Sequence, residues 1–391
     1  MNDIYVIESL RTPFGSFGGT LADVEAPHLG ETVMKGLLQR ANLDPAAVSE
    51  VIVGQVLSGG VGQAPARQAM RYAGLPDTVH AMTINKVCGS GLKAIMLGAG
   101  SISLGEAEIV IAGGMENMSQ APYILKKARY DYRMGHGELL DLMVYDGLQD
   151  PYTGKHMGEI ADAAAGRHSF SRAEQDDYAI RSYQLAQKAV KEGIFKDEIV
   201  PVVKKSKKGE EVIADDEEPF KVDFEKLKQL RPAFTKEGTV TAGNASTIND
   251  GAALTLLAGG KAVKKHNLKP RARLVASATW SLPPDQFPDA PVGAIEAACT
   301  RAGLKIADID LFEINEAFAA VAMIAIKQLG LDQERVNVNG GAVAIGHPIG
   351  ASGGRLVATL VRELNKRQAH YGLATLCIGG GEAVAAIFER V

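Results

Sequence analysis

Two stretches decide the fold of this chain: LLQRANLDPAAVSEVIVGQV at residues 37–56 and ACTRAGLKIADIDLFEINEA at residues 298–317. Each has the pattern of a helix, a short turn and a buried strand, and their offset is 298 − 37 = 261 residues. IAGGME at 111–116 and CIGGGE at 377–382 form a second pair, at an offset of 377 − 111 = 266 residues. The repetition predicts a duplicated domain with small insertions. The alternative is coincidence between two common helix-turn-strand patterns.

Around these stretches, apolar strand patterns alternate with helical ones. EVIVGQV at 50–56 and EIVIA at 108–112 are typical of strands, and a helix that begins at Gly89 carries apolar residues at helical spacing. The alternation predicts an α/β protein whose parallel strands are covered by helices on both faces.

Residues 119–245, in the middle of the chain, have a different sequence pattern from the two similar parts and are predicted to be an inserted domain. Ser171 and Glu174 form a capping-box pattern that opens a polar helix ending near Glu192. KKSKK at 204–208 is followed by DDEE at 215–218, which is typical of a solvated hairpin with charged flanks. The chain then returns through a predicted turn at 249–251 into a strand at 252–257.

Composition excludes several classes of protein. The 391 residues are enough for two or three domains, and the net charge of −4 argues against a nucleic-acid partner. Three widely spaced cysteines form neither a disulfide framework nor a zinc site. The N-terminus lacks a basic segment followed by a long apolar run, and no stretch has about 18 uninterrupted apolar residues. We therefore expect a cytoplasmic protein that makes no contact with membranes.

The first candidate for chemistry is Cys88, in NKVCGSG at 85–91. A strand, a sharp turn and a helix would expose this thiol at a helix N-terminus, where the helix dipole and free N–H groups lower the pKa of a thiol. Those N–H groups could also stabilise an oxyanion. The alternative is a buried structural cysteine, but the flanking glycines favour a functional site because they let a substrate approach closely.

The second candidate is His347, in VNGGAVAIGHPIGASGGR at 338–355. A histidine can act as a general base near neutral pH. The alternative is a histidine that caps a turn, but glycines on both sides indicate a backbone folded tightly around something. The segment matches neither G-x-x-x-x-G-K-[ST] nor a strand-anchored G-x-G-x-x-G, so a nucleotide site of those types is not supported.

Two further residues follow apolar strands. Cys377 precedes three glycines, and Asn315 precedes an apolar helix, where it is either a helix N-cap or a polar group directed at a site. Two thiols, a histidine and an amide together are suited to acyl transfer, in which one thiol forms a thioester and the other moves protons. Cys299 lies in a helical stretch and is predicted to be core.

Eight segments, in one order along nearly the whole chain, resemble the thiolase family. They are RTPFGSFGGTL (11–21), NKVCGSG (85–91), GGMENMS (113–119), LRPAF (230–234), TAGNASTINDG (241–251), NEAF (315–318), residues 340–355 and CIGGGE (377–382). The resemblance implies a five-layered αβαβα fold made of two duplicated halves with an inserted loop domain. The implied boundaries are 1–118 with 246–270 for the N-terminal half, 119–245 for the loop domain and 271–391 for the C-terminal half.

The resemblance also implies catalytic roles. Cys88 would accept the acyl group, His347 would activate it, and Cys377 would move the proton of the α-carbon. Asn315 would hold a water that forms one oxyanion site with His347, and the N–H groups of Cys88 and Gly379 would form a second. The implied reaction is the reversible, ping-pong Claisen condensation of two acetyl-CoA to acetoacetyl-CoA and CoA, with no metal or redox cofactor.

Coenzyme A would lie against the loop domain. The residues implied to bind CoA or the acyl group are His156, Met157, Phe234, Ala242, Ser246, Ala317 and Phe318. The HMG tripeptide at 156–158 resembles short-chain members of the family. A basic residue beside the adenine is not evident; Lys221 could serve, but the spacing is ambiguous. The family further implies a homotetramer, with contacts around residues 125–140.

Three alternatives stay open at this point. One is a thiolase of fatty-acid degradation that acts on longer 3-ketoacyl-CoA substrates, with the same residues around a roomier pocket. Another is a decarboxylating or hydroxymethylglutaryl-type condensing enzyme, which the cysteine before three glycines argues against. The last is a non-catalytic acyl-CoA- or lipid-binding relative, which should have lost the nucleophile.

Overall fold

The structure is a computed structural model that describes residues 3–206 and 209–391, so residues 207–208 of the predicted charged hairpin lie outside it. The strands are β1 Ile4–Arg11, β2 Gly15–Ser16, β3 Glu50–Gly54, β4 His80–Ile84, β5 Ile109–Asn117, β6 Tyr123–Ile124, β7 Leu140–Asp141, β8 Val202–Ser206, β9 Gly209–Ile213, β10 Asn249–Gly259, β11 Ala272–Ser281, β12 Leu311–Ile314, β13 Tyr371–Ile378 and β14 Glu382–Arg390. The helices are α1 Ala26–Ala41, α2 Pro65–Tyr72, α3 Ser90–Leu104, α4 Met157–Arg167, α5 Arg172–Lys191, α6 Phe224–Leu227, α7 Gly260–Lys265, α8 Ala290–Ala302, α9 Ala319–Leu329, α10 Ala342–Ile345 and α11 Ser352–Arg367. A π-helical turn spans Met143–Leu148.

The strands form two similar halves. β4, β3, β5, β10 and β1 lie side by side in one half, and β12, β13, β14 and β11 in the other; β1 and β11 join the halves through a short antiparallel pairing. The β3–β4 pair has a counterpart in the other half, where Phe312 of β12 forms a parallel bridge with Val336. The predicted duplication is therefore visible in the strand order.

Helices complete five layers. α1 and α2 cover the outer face of the first half, and α8 and α9 cover the outer face of the second. α3 and α11 lie between the two halves and share one apolar core with both. The predicted five-layered fold is confirmed. The sheets are mixed rather than parallel, however, because the short turn at residues 379–381 can join β13 and β14 only as antiparallel neighbours.

The apolarity of α3 follows from its place in the middle layer. Within the described residues, Val87–Leu104 is the one helical stretch long and apolar enough to cross a membrane, and half of it is buried inside the structure. A core helix of a large protein has the same composition, because both of its sides contact other layers.

The segment between β5 and β10 occupies the place that the turn at 379–381 occupies in the other half. It carries β6 to β9 and α4 to α6. The predicted capping box is present at the start of α5: Glu174 N donates to Ser171 Oγ at 3.2 Å, and Ser171 N donates to Glu174 Oε2 at 2.7 Å. The predicted turn at 249–251 is wrong, because these residues begin β10: Asn249 and Asp250 pair with β2, and Gly251 pairs with Glu116 of β5.

Candidate active site

One cavity of about 210 Å³ brings together most of the candidate residues. Its lining is mainly apolar and comes from both halves of the sheet and from the segment between β5 and β10. The lining residues are Cys88, Met118, Gly147, Leu148, His156, Met157, Phe234, Ala245, Ser246, Thr247, Ile248, Phe287, Ala317, Phe318, His347, Ile349, Cys377 and Gly379. No sequence pattern pointed to Phe287, because its place depends on how distant loops pack.

Cys88 lies in a tight elbow between β4 and α3. Val87, just before it, has φ of +46°, which is strained for a β-branched residue. Ser90 holds the elbow closed, because its hydroxyl accepts a hydrogen bond from Lys86 N at 2.8 Å and donates one to Val87 O at 2.7 Å. The predicted strand-turn-helix geometry is therefore present, and the helix begins at Ser90.

The electrostatics of Cys88 differ from the sequence expectation of a lowered pKa. Burial raises the pKa of the Cys88 thiol to about 11, although the backbone N–H groups of Gly379 and of Cys88 itself favour the thiolate. Desolvation of the charged form outweighs the helix N-terminus, because the thiol lies among apolar groups of the middle layer. The raised pKa means that the Cys88 thiol is protonated at neutral pH.

His347 lies in the loop between α10 and α11 and is buried. Its backbone N donates to Asn249 Oδ1 at 2.9 Å, and its Nδ1 lies 2.5 Å from the Ser352 hydroxyl. Burial, aided by the positive charge of Arg355, lowers the pKa of His347 to about 3. The imidazole is thus neutral at physiological pH, so one of its ring nitrogens carries a free lone pair.

Asn315 is not a helix N-cap, because α9 begins four residues later, at Ala319. Its Nδ2 lies 3.5 Å from His347 Nε2. Its Oδ1 is buried and has no hydrogen-bond partner among residues 3–206 and 209–391. The alternative interpretation from the sequence, a polar group directed at a site, therefore agrees with its position beside His347.

Cys377 lies near the end of β13 and is 1% exposed. Burial raises its pKa well above the ordinary value for a thiol, and the neighbouring Cys88 raises it further. Gly379 follows in the turn to β14, and a side chain there would meet the Met157 sulfur. Cys299 lies on the buried face of α8 and is part of the core, as predicted.

Two buried carboxylates that the sequence did not single out hold the loops of the site. Glu116 accepts hydrogen bonds from Val56 N, Leu57 N and Gly350 N at 2.9, 3.1 and 2.9 Å. Glu316 accepts from Tyr178 Oη at 2.9 Å and Ser182 Oγ at 2.7 Å, both on α5. Each carboxylate thus ties a loop of the cavity to a separate part of the chain, which sequence spacing cannot reveal.

The residues predicted to bind CoA fall into two groups. His156, Met157, Phe234, Ser246, Ala317 and Phe318 line the catalytic cavity. His156 begins α4 and stacks on Phe234, with ring centroids 4.8 Å apart. Ala242 does not line this cavity. It lies in a separate surface hollow with Lys221 and Leu230, where Lys221 also contacts Ser16 Oγ.

This arrangement can carry out acyl transfer through a cysteine. A thiol, a neutral imidazole and a second thiol face one mainly apolar space, and two backbone N–H groups point to the first sulfur. Within the described part of the chain, no group of three or more His, Cys, Asp and Glu side chains is placed to hold a metal ion.

Family models match almost the whole chain. The thiolase N-terminal domain matches residues 4–261, and the thiolase C-terminal domain matches residues 268–390. The chain belongs to the thiolase family. The resemblance seen in the sequence is confirmed, and so is the assignment of the chain to a family of acyltransferases.

Individual relatives of this thiolase are similar over their full length. The acetyl-CoA acetyltransferase of Chromobacterium violaceum is 50% identical, and the alignment covers 99% of this chain and 100% of the relative. A probable acetyl-CoA acyltransferase of Staphylococcus aureus strain COL is 47% identical, with 100% of both chains covered. The crystal structure of the Bacillus anthracis acetyl-CoA acetyltransferase superposes with a TM-score of 0.97 at 41% identity, covering 100% of this chain and 99% of that one.

Proposed function

We propose that this thiolase is an acetyl-CoA acetyltransferase, which reversibly condenses two acetyl-CoA to acetoacetyl-CoA and CoA. The observation that carries the proposal is the convergence of Cys88, His347 and Cys377 on one small apolar cavity. The full-length similarity to proteins named acetyl-CoA acetyltransferase supports it. A non-catalytic relative is disfavoured, because the nucleophile and the base are both present.

In the first half-reaction, Cys88 Sγ attacks the thioester carbon of acetyl-CoA while its proton passes to His347 Nε2. The carbon–sulfur bond to CoA breaks, and His347 returns the proton to the CoA sulfur. The raised pKa of Cys88 means that His347 must take the proton as the new bond forms, rather than act on a preformed thiolate. The N–H groups of Cys88 and Gly379 stabilise the oxyanion.

In the second half-reaction, Cys377 acts as a thiolate and removes a proton from the methyl group of a second acetyl-CoA. The enolate oxygen accepts a hydrogen bond from a water that Asn315 holds beside His347, and the carbanion attacks the acetyl carbon on Cys88. The bond from that carbon to Cys88 Sγ then breaks, and Cys377 gives its proton to the Cys88 sulfur. The orphaned Oδ1 of Asn315 supports a solvent partner there, because a buried amide oxygen without a hydrogen bond is costly. Cleavage follows the same steps in reverse.

CoA would extend from this cavity along the inserted segment. His156 and Phe234 form an aromatic wall, and Met157 faces the acyl end beside Gly379. The hollow that holds Ala242, Leu230 and Lys221 is the natural place for the adenine end. The proposed reaction needs no metal or redox cofactor, because stabilising an oxyanion and moving protons suffices.

The cavity volume favours a short acyl group. At about 210 Å³, it is below the roughly 300–1,000 Å³ of most ligand pockets. A thiolase acting on longer 3-ketoacyl chains is the second candidate, and it would need room that the ring of Phe318 and the Met157 side chain restrict.

We further propose that the enzyme is a cytoplasmic homotetramer. The region around residues 125–140 supports an oligomer contact, because Tyr130, Met134 and Leu139 are strongly exposed there.

The test is CoA-dependent cleavage of acetoacetyl-CoA, compared with a six-carbon 3-ketoacyl-CoA at equal concentration. A strong preference for acetoacetyl-CoA supports the proposal. Equal or faster cleavage of the longer substrate supports the second candidate, a thiolase that acts on longer 3-ketoacyl chains. Cys377→Ala is the companion variant: it should still form acetyl-Cys88 but lose condensation. A condensation rate equal to that of the unchanged protein would exclude the role of Cys377.

A further inference from the structure

Ser352 is a buried serine whose hydroxyl contacts the nitrogen of His347 that faces away from the cavity. Ser352 is 1% exposed and begins α11. Its Oγ lies 2.5 Å from His347 Nδ1 and 2.9 Å from Pro348 O. Sequence patterns alone offer no reason to connect it with catalysis, because a serine at the start of a helix is common.

Counting donors and acceptors assigns the hydrogens shared by His347 Nδ1, Ser352 Oγ and Pro348 O. A carbonyl oxygen only accepts, so the contact between Ser352 Oγ and Pro348 O contains a hydrogen only if Ser352 donates it. The serine oxygen must then accept the hydrogen on His347 Nδ1. The opposite arrangement would leave two oxygens facing each other at 2.9 Å without a hydrogen.

The other ring nitrogen leads to the same assignment. Asn315 Nδ2, a donor, lies 3.5 Å from His347 Nε2. A proton on Nε2 would place two donors face to face, whereas a lone pair there matches both the amide and the thiol proton that it must accept.

We propose that Ser352 is a positioning residue that fixes the tautomer of His347, so that Nε2 presents its lone pair to the Cys88 thiol. This inference rests on the proposed acyl transfer. Without the Ser352 hydroxyl, the Nδ1 hydrogen has no acceptor in its buried setting, and the ring changes to the tautomer that carries its proton on Nε2. That tautomer cannot accept the proton of Cys88, so attack on the thioester slows.

The variants Ser352→Thr and Ser352→Val form an isosteric pair that differs in a hydroxyl against a methyl group. Acylation of Cys88 is measured in a single turnover with acetyl-CoA, by the CoA released and the mass of the protein. Ser352→Val should be slower than Ser352→Thr by roughly 10- to 100-fold, with the half-saturating acetyl-CoA concentration unchanged. Equal rates in the two variants would overturn the proposal.

The tautomer itself is read by ¹⁵N NMR of histidine-labelled protein, with His347→Asn to assign the signal. The unchanged protein should show a protonated Nδ1, and Ser352→Val should shift the signal towards a protonated Nε2. Thr359→Val is the matched control, since it removes a buried hydroxyl from the same helix, where Thr359 Oγ1 donates to Glu198 Oε1 at 3.2 Å; His347 should keep its signal there. A protonated Nε2 in the unchanged protein overturns the proposal without any variant.

The two proposals can fail separately. If the unchanged protein does not become acylated by acetyl-CoA, the proposed function is wrong, while the NMR signal still decides whether Ser352 fixes the tautomer.

Discussion

Each half of this thiolase has an equivalent helix in the middle layer, α3 in the N-terminal half and α11 in the C-terminal half. The loops that lead to these two helices differ in length. In the N-terminal half, five residues, 85–89, connect β4 to α3 and carry Cys88. In the C-terminal half, fifteen residues, 337–351, connect the bridge at Val336 to α11 and carry His347. The short loop forms a strained elbow that presents Cys88, and the long loop has room to fold His347 against the same cavity.

The two helix starts touch through their backbones. A Cβ on Gly353 would lie 2.1 Å from Leu92 N, and one on Gly91 would lie 2.9 Å from Gly350 O. The separation of the Cys88 and His347 loops is therefore set by backbone contact between the halves rather than by flexible side chains. The duplication thus brings two different loops to one cavity. The loop of the N-terminal half carries Cys88, and the loop of the C-terminal half carries His347.

The Cys88 thiol is the group that distinguishes the short loop from the long one. Gly350 holds the place in the C-terminal half that Cys88 holds in the N-terminal half, two residues before the serine that begins each helix. Cys88→Ala should lower the rate of acetyl-CoA condensation by roughly 10⁴-fold or more, because no covalent intermediate can form. The measurement is the acetylated fraction of the protein by mass spectrometry.

Cys377→Ala is the control for that experiment, since it keeps Cys88 and should still become acetylated. Radiolabelled acetyl found on Cys377 or Cys299 of the Cys88→Ala protein would contradict the assignment of the nucleophile.

The pH dependence of alkylation distinguishes the buried Cys88 thiol from a thiol at a helix N-terminus that is not buried. Because burial raises the pKa of Cys88 to about 11, the reactive thiolate is scarce at neutral pH and increases with pH. The rate of Cys88 modification by iodoacetamide should rise about tenfold per pH unit between pH 7 and 10. A helix N-terminus without this burial predicts a rate that levels off near pH 8 or below.

Tryptic mass spectrometry assigns the modified residue, since Cys299 is also present and burial raises its pKa to about 11. A Cys88 rate that is already constant across pH 7 to 10 would restore the sequence expectation of an activated thiolate.

The features that were predicted correctly from the sequence depend on interactions between residues that are close along the chain. The elbow at Cys88 and the capping box at Ser171 depend on neighbours within a few residues, so local patterns were enough to predict them. The residues after strand ends could be placed at one site because the duplication brings those ends together. These features required no knowledge of burial.

The errors come from contacts between distant parts of the chain. Residues 249–251 have the composition of a turn, yet they form a strand because β2 pairs with Asn249 and Asp250 and β5 pairs with Asp250 and Gly251. The Cys88 pKa was mispredicted for a similar reason, since the middle layer that desolvates the thiol is built from both halves. The roles of Glu116 and Ser352 depend on the same long-range packing.

Alanine substitutions at two glycines compare a position on α3 that faces open space with the part of α11 that contacts α3, through their effects on the free energy of unfolding. Gly100 lies inside α3 with nothing within 4 Å of an added Cβ, whereas Gly353 is the second residue of α11 and packs against Leu92. Gly100→Ala should therefore stabilise the protein by ~0.5–1 kcal/mol, because alanine loses less backbone entropy in a helix. Gly353→Ala should destabilise it by about 3 kcal/mol, because the backbones of the two halves must separate. Urea unfolding at one protein concentration measures both, and a Gly353→Ala protein as stable as the unchanged one would show that the distance between nucleophile and base is not set by this contact.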